Sequence, residues 1–166
     1  KVINMDRFIT YWAVEAVINH GDGYALNRNN FYIYNDPSTG LFEFIPWGVD
    51  QVLKPFTKFG DSMLFVESAV TRRLYQLPET QQQYVSEVQN LFESTWNEVE
   101  LLREIDRMES LIGAIVNDEH AGDIFFDLAA EAETVRQFVR TRRAVLQTIL
   151  SEPPVFDEAP PVWPCD

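Results

Sequence analysis

One strand–turn–strand unit set among helical patterns limits what this chain can fold into. Asn29 to Asn35 is rich in β-branched and aromatic residues, Asp36-Pro37-Ser38-Thr39-Gly40 is dense turn chemistry, and Leu41 to Ile45 alternates like a returning strand. Residues 30–46 therefore predict a β-hairpin. Nearly every other periodic segment repeats at helical spacing. Residues 5–19 set Met5, Phe8, Ile9, Trp12, Ala13, Ala16 and Val17 on one stripe, with Asn4 or Asp6 as cap. Helices are also predicted over 62–77 (ending at Pro78), 79–96, 98–116 and 124–150, the last as one long helix or a broken pair. Residues 51–61, with Pro55 and Gly60, read as irregular. The predicted class is α+β and predominantly α: one domain over 1–152, then a Pro-rich tail or linker over 153–166.

Composition removes several function classes. A formal charge of −13 lacks the basic footprint that nucleic acids and anionic membranes require, so neither is expected as a partner. The single cysteine, Cys165, excludes an intrachain disulfide framework and a Cys-based zinc site. It suits either a reducing compartment or a cysteine-poor secreted protein. No stretch of apolar residues is long enough for a membrane span. Twelve Phe, six Tyr and four Trp provide for a core and argue against disorder.

Two short motifs bracket the hairpin. Ahead of it, His20-Gly21-Asp22-Gly23-Tyr24-Ala25-Leu26-Asn27 has the form H-x-D-x4-N, and after it Ile45-Pro46-Trp47-Gly48-Val49-Asp50 brings a second carboxylate. Phosphoryl transfer needs such a set: one carboxylate to orient the attacking hydroxyl, and an amide and a second carboxylate to hold Mg²⁺ at the phosphates. The first motif has the spacing of a protein-kinase catalytic loop. Asp and Asn also favour ordinary turns, and Asp50 by itself suits a cap. Their joint spacing around a hairpin favours a site, in which Asp22, Asn27 and Asp50 are expected to converge, the carboxylates within roughly 10 Å.

Other residues carry narrower expectations. His20 is expected to make internal hydrogen bonds near the second motif, and Trp47 to plug the structure behind Asp50. Arg28 suits a phosphate contact or an acidic partner equally. Asn117 to Asp123, with His120, reads as a solvated inter-helix turn, since it has no second His at ligand spacing and does not fit a calcium loop. Arg136, Arg140, Arg142 and Arg143 read as a strip complementing the helix dipole and neighbouring acids.

The run from Asn27 to Asp36 (N-R-N-N-F-Y-I-Y-N-D), together with F-E-F-I-P-W-G-V-D-Q over 42–51, resembles the CotH kinase family, named for the spore-coat protein H proteins. The helix Val135 to Arg143 also resembles that family's C-terminal pattern. The resemblance is dense over 3–56 and thin from 60 to 150. It implies the C-terminal lobe of an atypical protein kinase, secreted or at the cell surface, that uses ATP with Mg²⁺ (or Mn²⁺) to phosphorylate Ser or Thr of an extracytoplasmic protein. By motif, Asp22 would be the catalytic Asp, and Asn27 and Asp50 the nucleotide–metal residues. Many family members read P-W-D-x-D where this chain has Gly48, which leaves Asp50 the motif's only carboxylate.

Kinase-like folds place the adenine pocket, a phosphate-covering loop and an anchoring Lys upstream of the catalytic loop. Only nineteen residues precede His20 here, and the lysines are Lys1, Lys54 and Lys58. The chain therefore reads as a lower lobe whose upstream lobe is a missing partner, and it is expected to bind ATP weakly by itself. Two alternatives remain open from sequence: a non-catalytic surface module of the same fold, and a glycosidase using Asp22 and Asp50 as acid and base, which leaves Asn27 unexplained.

Overall fold

The structure is a computed structural model, and it describes residues 2–55, 64–116 and 127–151. Helix α1 (Met5–Ile18) leads through a one-turn helix α2 (Tyr24–Asn27) into an antiparallel hairpin of β1 (Phe31–Asn35) and β2 (Phe42–Pro46). Four helices follow: α3 (Ala69–Tyr75), α4 (Pro78–Ser94), α5 (Glu98–Val116) and α6 (Leu128–Ser151). The molecule is thus mostly helical with a small two-stranded sheet, the α+β class expected. Hairpin register pairs Phe31 with Pro46 and Asn35 with Phe42. The chain start adds to the β2 edge through a parallel bridge, Asn4 N donating to Phe42 O (3.1 Å) and Phe42 N to Val2 O (2.9 Å).

α1 is the axis of the core. Its predicted stripe is buried from Phe8 to Val17, with Met5 half-buried, and Tyr11 and Glu15 beside it are buried too, so the helix is enclosed on most of its circumference. Trp12, wholly buried, stacks on Tyr84 of α4 with ring centroids 3.9 Å apart. Both rings keep their polar atoms satisfied from one segment: Trp12 Nε1 donates to Phe65 O (2.7 Å) and Tyr84 Oη to Leu64 O (2.9 Å). On the other flank, Phe44 meets Phe8 edge-on at 4.7 Å and packs near Tyr24 at 4.9 Å, seating the hairpin on α1.

That use of backbone carbonyls corrects the helix predicted over 62–77. Residues 64–67 are not helical, because Leu64 O, Phe65 O and Val66 O are turned toward Tyr84, Trp12 and Arg72 instead of an i+4 amide. The helix begins only at Ala69, where Ser68 Oγ accepts from Thr71 N (3.2 Å) as N-cap. Pro78 stands at the first turn of α4, where its missing N–H costs nothing. The expected turn at 117–123, the start of the helix placed at 124 and the Pro-rich tail lie outside the described residues, as does most of the irregular segment after Pro55. No helix among the described residues is long and apolar enough to cross a membrane.

α6 returns to the core through Arg142, which is 2% exposed. Its Nε donates to Val17 O (3.0 Å), and its Nη2 to Ala16 O and to Asn19 Oδ1 (3.4 Å), so it caps the C-terminus of α1 from across the fold. Burial lowers its pKa to about 10, leaving it a cation at neutral pH. Arg143 similarly donates to Phe92 O (2.7 Å), and Arg136 pairs with Asp106, Glu109 and Glu133. The arginine strip therefore serves acids and helix ends, but for Arg142 and Arg143 the ends belong to other helices. Truncating Arg142 to Ala strips partners from buried carbonyls and should lower unfolding free energy by about 3 kcal/mol in urea titration. An equal loss on truncating exposed Arg103 would contradict this account.

Candidate functional site

The site is built outward from the end of α1. Asn19 adopts left-handed φ 55°, its N–H donates to Ala16 O (3.2 Å), and His20 N donates to Glu15 O (2.8 Å). These two bonds are a Schellman closure, which places Glu15 and His20 at the positions where an apolar contact ordinarily forms. Leu53 N takes Ile18 O (2.8 Å), so with Arg142 every carbonyl of the last turn has a donor. The loop that follows is consequently launched in one direction.

Glu15, 1% exposed, anchors that loop. Its Oε1 accepts from Tyr24 N (3.0 Å) and from the Tyr11 hydroxyl, and its Oε2 from Ala25 N (2.7 Å). The carboxylate thus caps the first turn of α2, the turn that carries Asn27. Burial and Glu15 together raise the Tyr11 phenol far above its ordinary value, which keeps it a donor. Gly23 is glycine for a steric reason: a Cβ there would lie 2.6 Å from Glu15 Oε1 and 2.7 Å from His20 Nδ1.

Asp22 faces three side-chain amides. It accepts from Asn27 Nδ2, from Asn29 Nδ2 (3.1 Å) and from Asn30 Nδ2 (2.7 Å). Two of the predicted residues, Asp22 and Asn27, are therefore in direct contact. Because the Asn27 nitrogen is taken by a carboxylate, its Oδ1 is left as the atom able to accept or ligate. Asn30, at left-handed φ 48°, also reaches Gly48 O with Nδ2 (3.4 Å), while its own carbonyl accepts from Trp47 N (2.9 Å).

Asp50 lies on the turn beyond β2 and is exposed, with Gln51 Nε2 3.2 Å from its Oδ2. It makes no hydrogen bond to Asp22, but bonds on both sides tie its turn to the Asp22 loop. Gly48 O faces His20 Nε2 (3.3 Å) and Asn30, and Gln51 O accepts from Gly21 N (3.0 Å). His20 is wholly buried in the internal role expected of it. Trp47 is not the expected plug: it is 59% exposed and meets Tyr32 edge-on at 5.5 Å on the outer hairpin face. Among the described residues no cluster of three or more His, Cys, Asp or Glu could hold a metal.

Sequence reasoning missed Glu15, Asn30 and Arg142. Glu15 left a faint trace, an acid four residues after Tyr11 on the flank of an apolar stripe. Asn30 reads from sequence only as the edge of a strand, and although Arg142 belongs to the arginine strip, nothing local marks its reach to the end of α1.

A helical protein with a carboxylate–amide loop bonded to the exit of a single hairpin is what these residues define. The pattern of the CotH kinase protein family matches residues 1–146, and the chain belongs to that family. No curated protein matches it.

His20 gives the site a pH-dependent element. Burial alone would lower its pKa, but the Glu15 carboxylate, with Oε1 3.7 Å from Nδ1, and the Gly48 carbonyl facing Nε2 raise it above 6.5 overall. A carbonyl at Nε2 and a carboxylate near Nδ1 both favour the cation, although Nδ1 itself makes no hydrogen bond. A raised folded-state pKa contributes stability fully below about 6.5, the unfolded value, and loses it as pH rises through the folded pKa. Urea midpoints should therefore fall across that window relative to His20→Gln, in which this component is absent. Parallel pH profiles for the two proteins would rule the pair out.

Proposed function

We propose that this chain is the catalytic-loop portion of a CotH-type protein kinase, transferring the γ-phosphoryl of ATP to a Ser or Thr hydroxyl of a secreted or surface protein. The observation that carries the reading is the Asp22–Asn27 contact. It holds a carboxylate acceptor beside an amide whose oxygen is directed away from it, on a loop bonded to the turn of Asp50. The donor set is all oxygen, the chemistry that Mg²⁺ or Mn²⁺ prefers.

In this reading Asp22 accepts the substrate hydroxyl proton as that oxygen bonds to the γ-phosphorus. The bond from phosphorus to the β–γ bridging oxygen breaks, and ADP leaves. Asn29 and Asn30 hold the Asp22 carboxylate in place by donating to it. Asn27, through Oδ1, and Asp50 would hold the metal ion, which when bound neutralises phosphate charge. Glu15 keeps the α2 turn, and with it Asn27, fixed relative to α1.

A second reading, a non-catalytic surface module, draws on Gly48 standing where many relatives of the motif carry Asp. The two separate in a phosphate-transfer assay on the complete natural polypeptide with Mg·ATP. Asp22→Ala should reduce kcat by at least about a thousandfold with ATP affinity retained, whereas Asp50→Ala should weaken Mg·ATP binding as well. Asn27→Ala should fall between them, since water can replace an amide oxygen on the metal. Transfer that survives both carboxylate substitutions would place the active site elsewhere; no transfer at all by the unaltered protein would favour the module.

A further inference from the structure

We infer that Asn30 is a positioning residue that clamps Asp22 to the turn leading to Asp50, and that residue 48 is glycine because the Asn30 amide fills the space of its Cβ. The inference rests on the reading above for its catalytic consequence, and on geometry alone for the clamp. One nitrogen, Asn30 Nδ2, serves Asp22 Oδ2 at 2.7 Å and Gly48 O at 3.4 Å, so a single side chain bridges the two motifs across the hairpin. The return bond from Trp47 N to Asn30 O (2.9 Å) fixes the backbone from which that side chain projects. A Cβ built on Gly48 would stand 2.8 Å from Asn30 Cγ and 2.9 Å from its Nδ2, closer than packed carbon atoms tolerate. The amide cannot swing aside without releasing both acceptors. Gly48 also sits at φ 57°, where a side chain is strained in any case. A side chain at 48 would therefore require the Asn30 amide to shift off its acceptors, and in this chain the amide occupies that space.

A merely local role for Asn30, as a residue suited to its left-handed φ, makes a different prediction from a clamp. Gly and Asp both tolerate that backbone conformation, so a turn role leaves Asn30→Gly and Asn30→Asp close to wild type. A clamp requires a donor. Asn30→Gly removes it, and Asn30→Asp replaces it with a carboxylate of the same shape that repels Asp22. In the complete natural polypeptide, kcat should fall about ten- to a hundredfold for Asn30→Gly and further for Asn30→Asp, with KM for ATP changed much less. Equal activity of all three proteins would overturn the positioning role.

The steric half of the inference is read without any activity. Gly48→Ala should lower the urea midpoint of this chain by about 1 M, and by less than half as much in the Asn30→Gly background, since only backbone strain remains there. An identical loss in both backgrounds would show that the amide does not occupy the Cβ space and would sink the clamp. If the unaltered polypeptide transfers no phosphate, the proposed function falls, and this coupling still decides the clamp.

Discussion

The Glu15 carboxylate is the contact on which the site depends. In a Schellman closure the residues at C3 and C″ normally meet through apolar side chains, and here those positions hold Glu15 and His20. A helix terminator has thereby been given a charge. A buried carboxylate is tolerable only when its oxygens are supplied with donors, and two backbone amides of α2 and the Tyr11 hydroxyl supply them. The same donors become the means by which the loop is held. α1 does not merely precede the Asp22 loop; through Glu15 it determines where Tyr24 and Ala25 stand, and Asn27 follows on the same turn.

The hairpin completes this arrangement by bringing a distant turn back to the loop. Its inner aromatic residues, Phe31 and Phe44, seat it against Tyr24 and α1, so that Gly48 and Gln51 reach His20, Gly21 and Asn30. Packing of rings and bonding of polar groups thus act at opposite ends of one ribbon. The outer face, with Tyr32, Ile45 and Trp47 exposed, takes no part in that seating.

What the sequence disclosed, and what it withheld, divides along physical lines. The hairpin and the helices of Met5–Ile18, Glu98–Val116 and Leu128–Ser151 were legible because periodicity and turn chemistry are local. Leu64-Phe65-Val66 was misassigned because an apolar run is compatible with a buried helix or a buried extended segment. The choice was made by Trp12 and Tyr84, whose N–H and O–H need carbonyls from it. Ser68, three residues before Thr71, was the cap that could have moved the boundary. Asp22 and Asn27 were found because a motif fixes their spacing, whereas Asn30 acts through a partner eighteen residues away that no local pattern announces. Trp47 was misplaced for a related reason: a large ring beside a site suggests burial, but the strand register turned it outward.

The reach of Arg142 has a consequence for how the protein is made. Its guanidinium completes the end of α1 from 125 residues downstream. On a ribosome, α1, the Asp22 loop and the hairpin emerge while the carbonyls of Ala16 and Val17 still lack that donor. The nascent chain can gather Asp22 and the three asparagines around it early, yet cannot finish the helix end that aims their loop until α6 has been synthesised and docked. Assembly of the site is in this sense timed by α6, and a ribosome that stalls before it leaves a recognisable motif on an unfinished support.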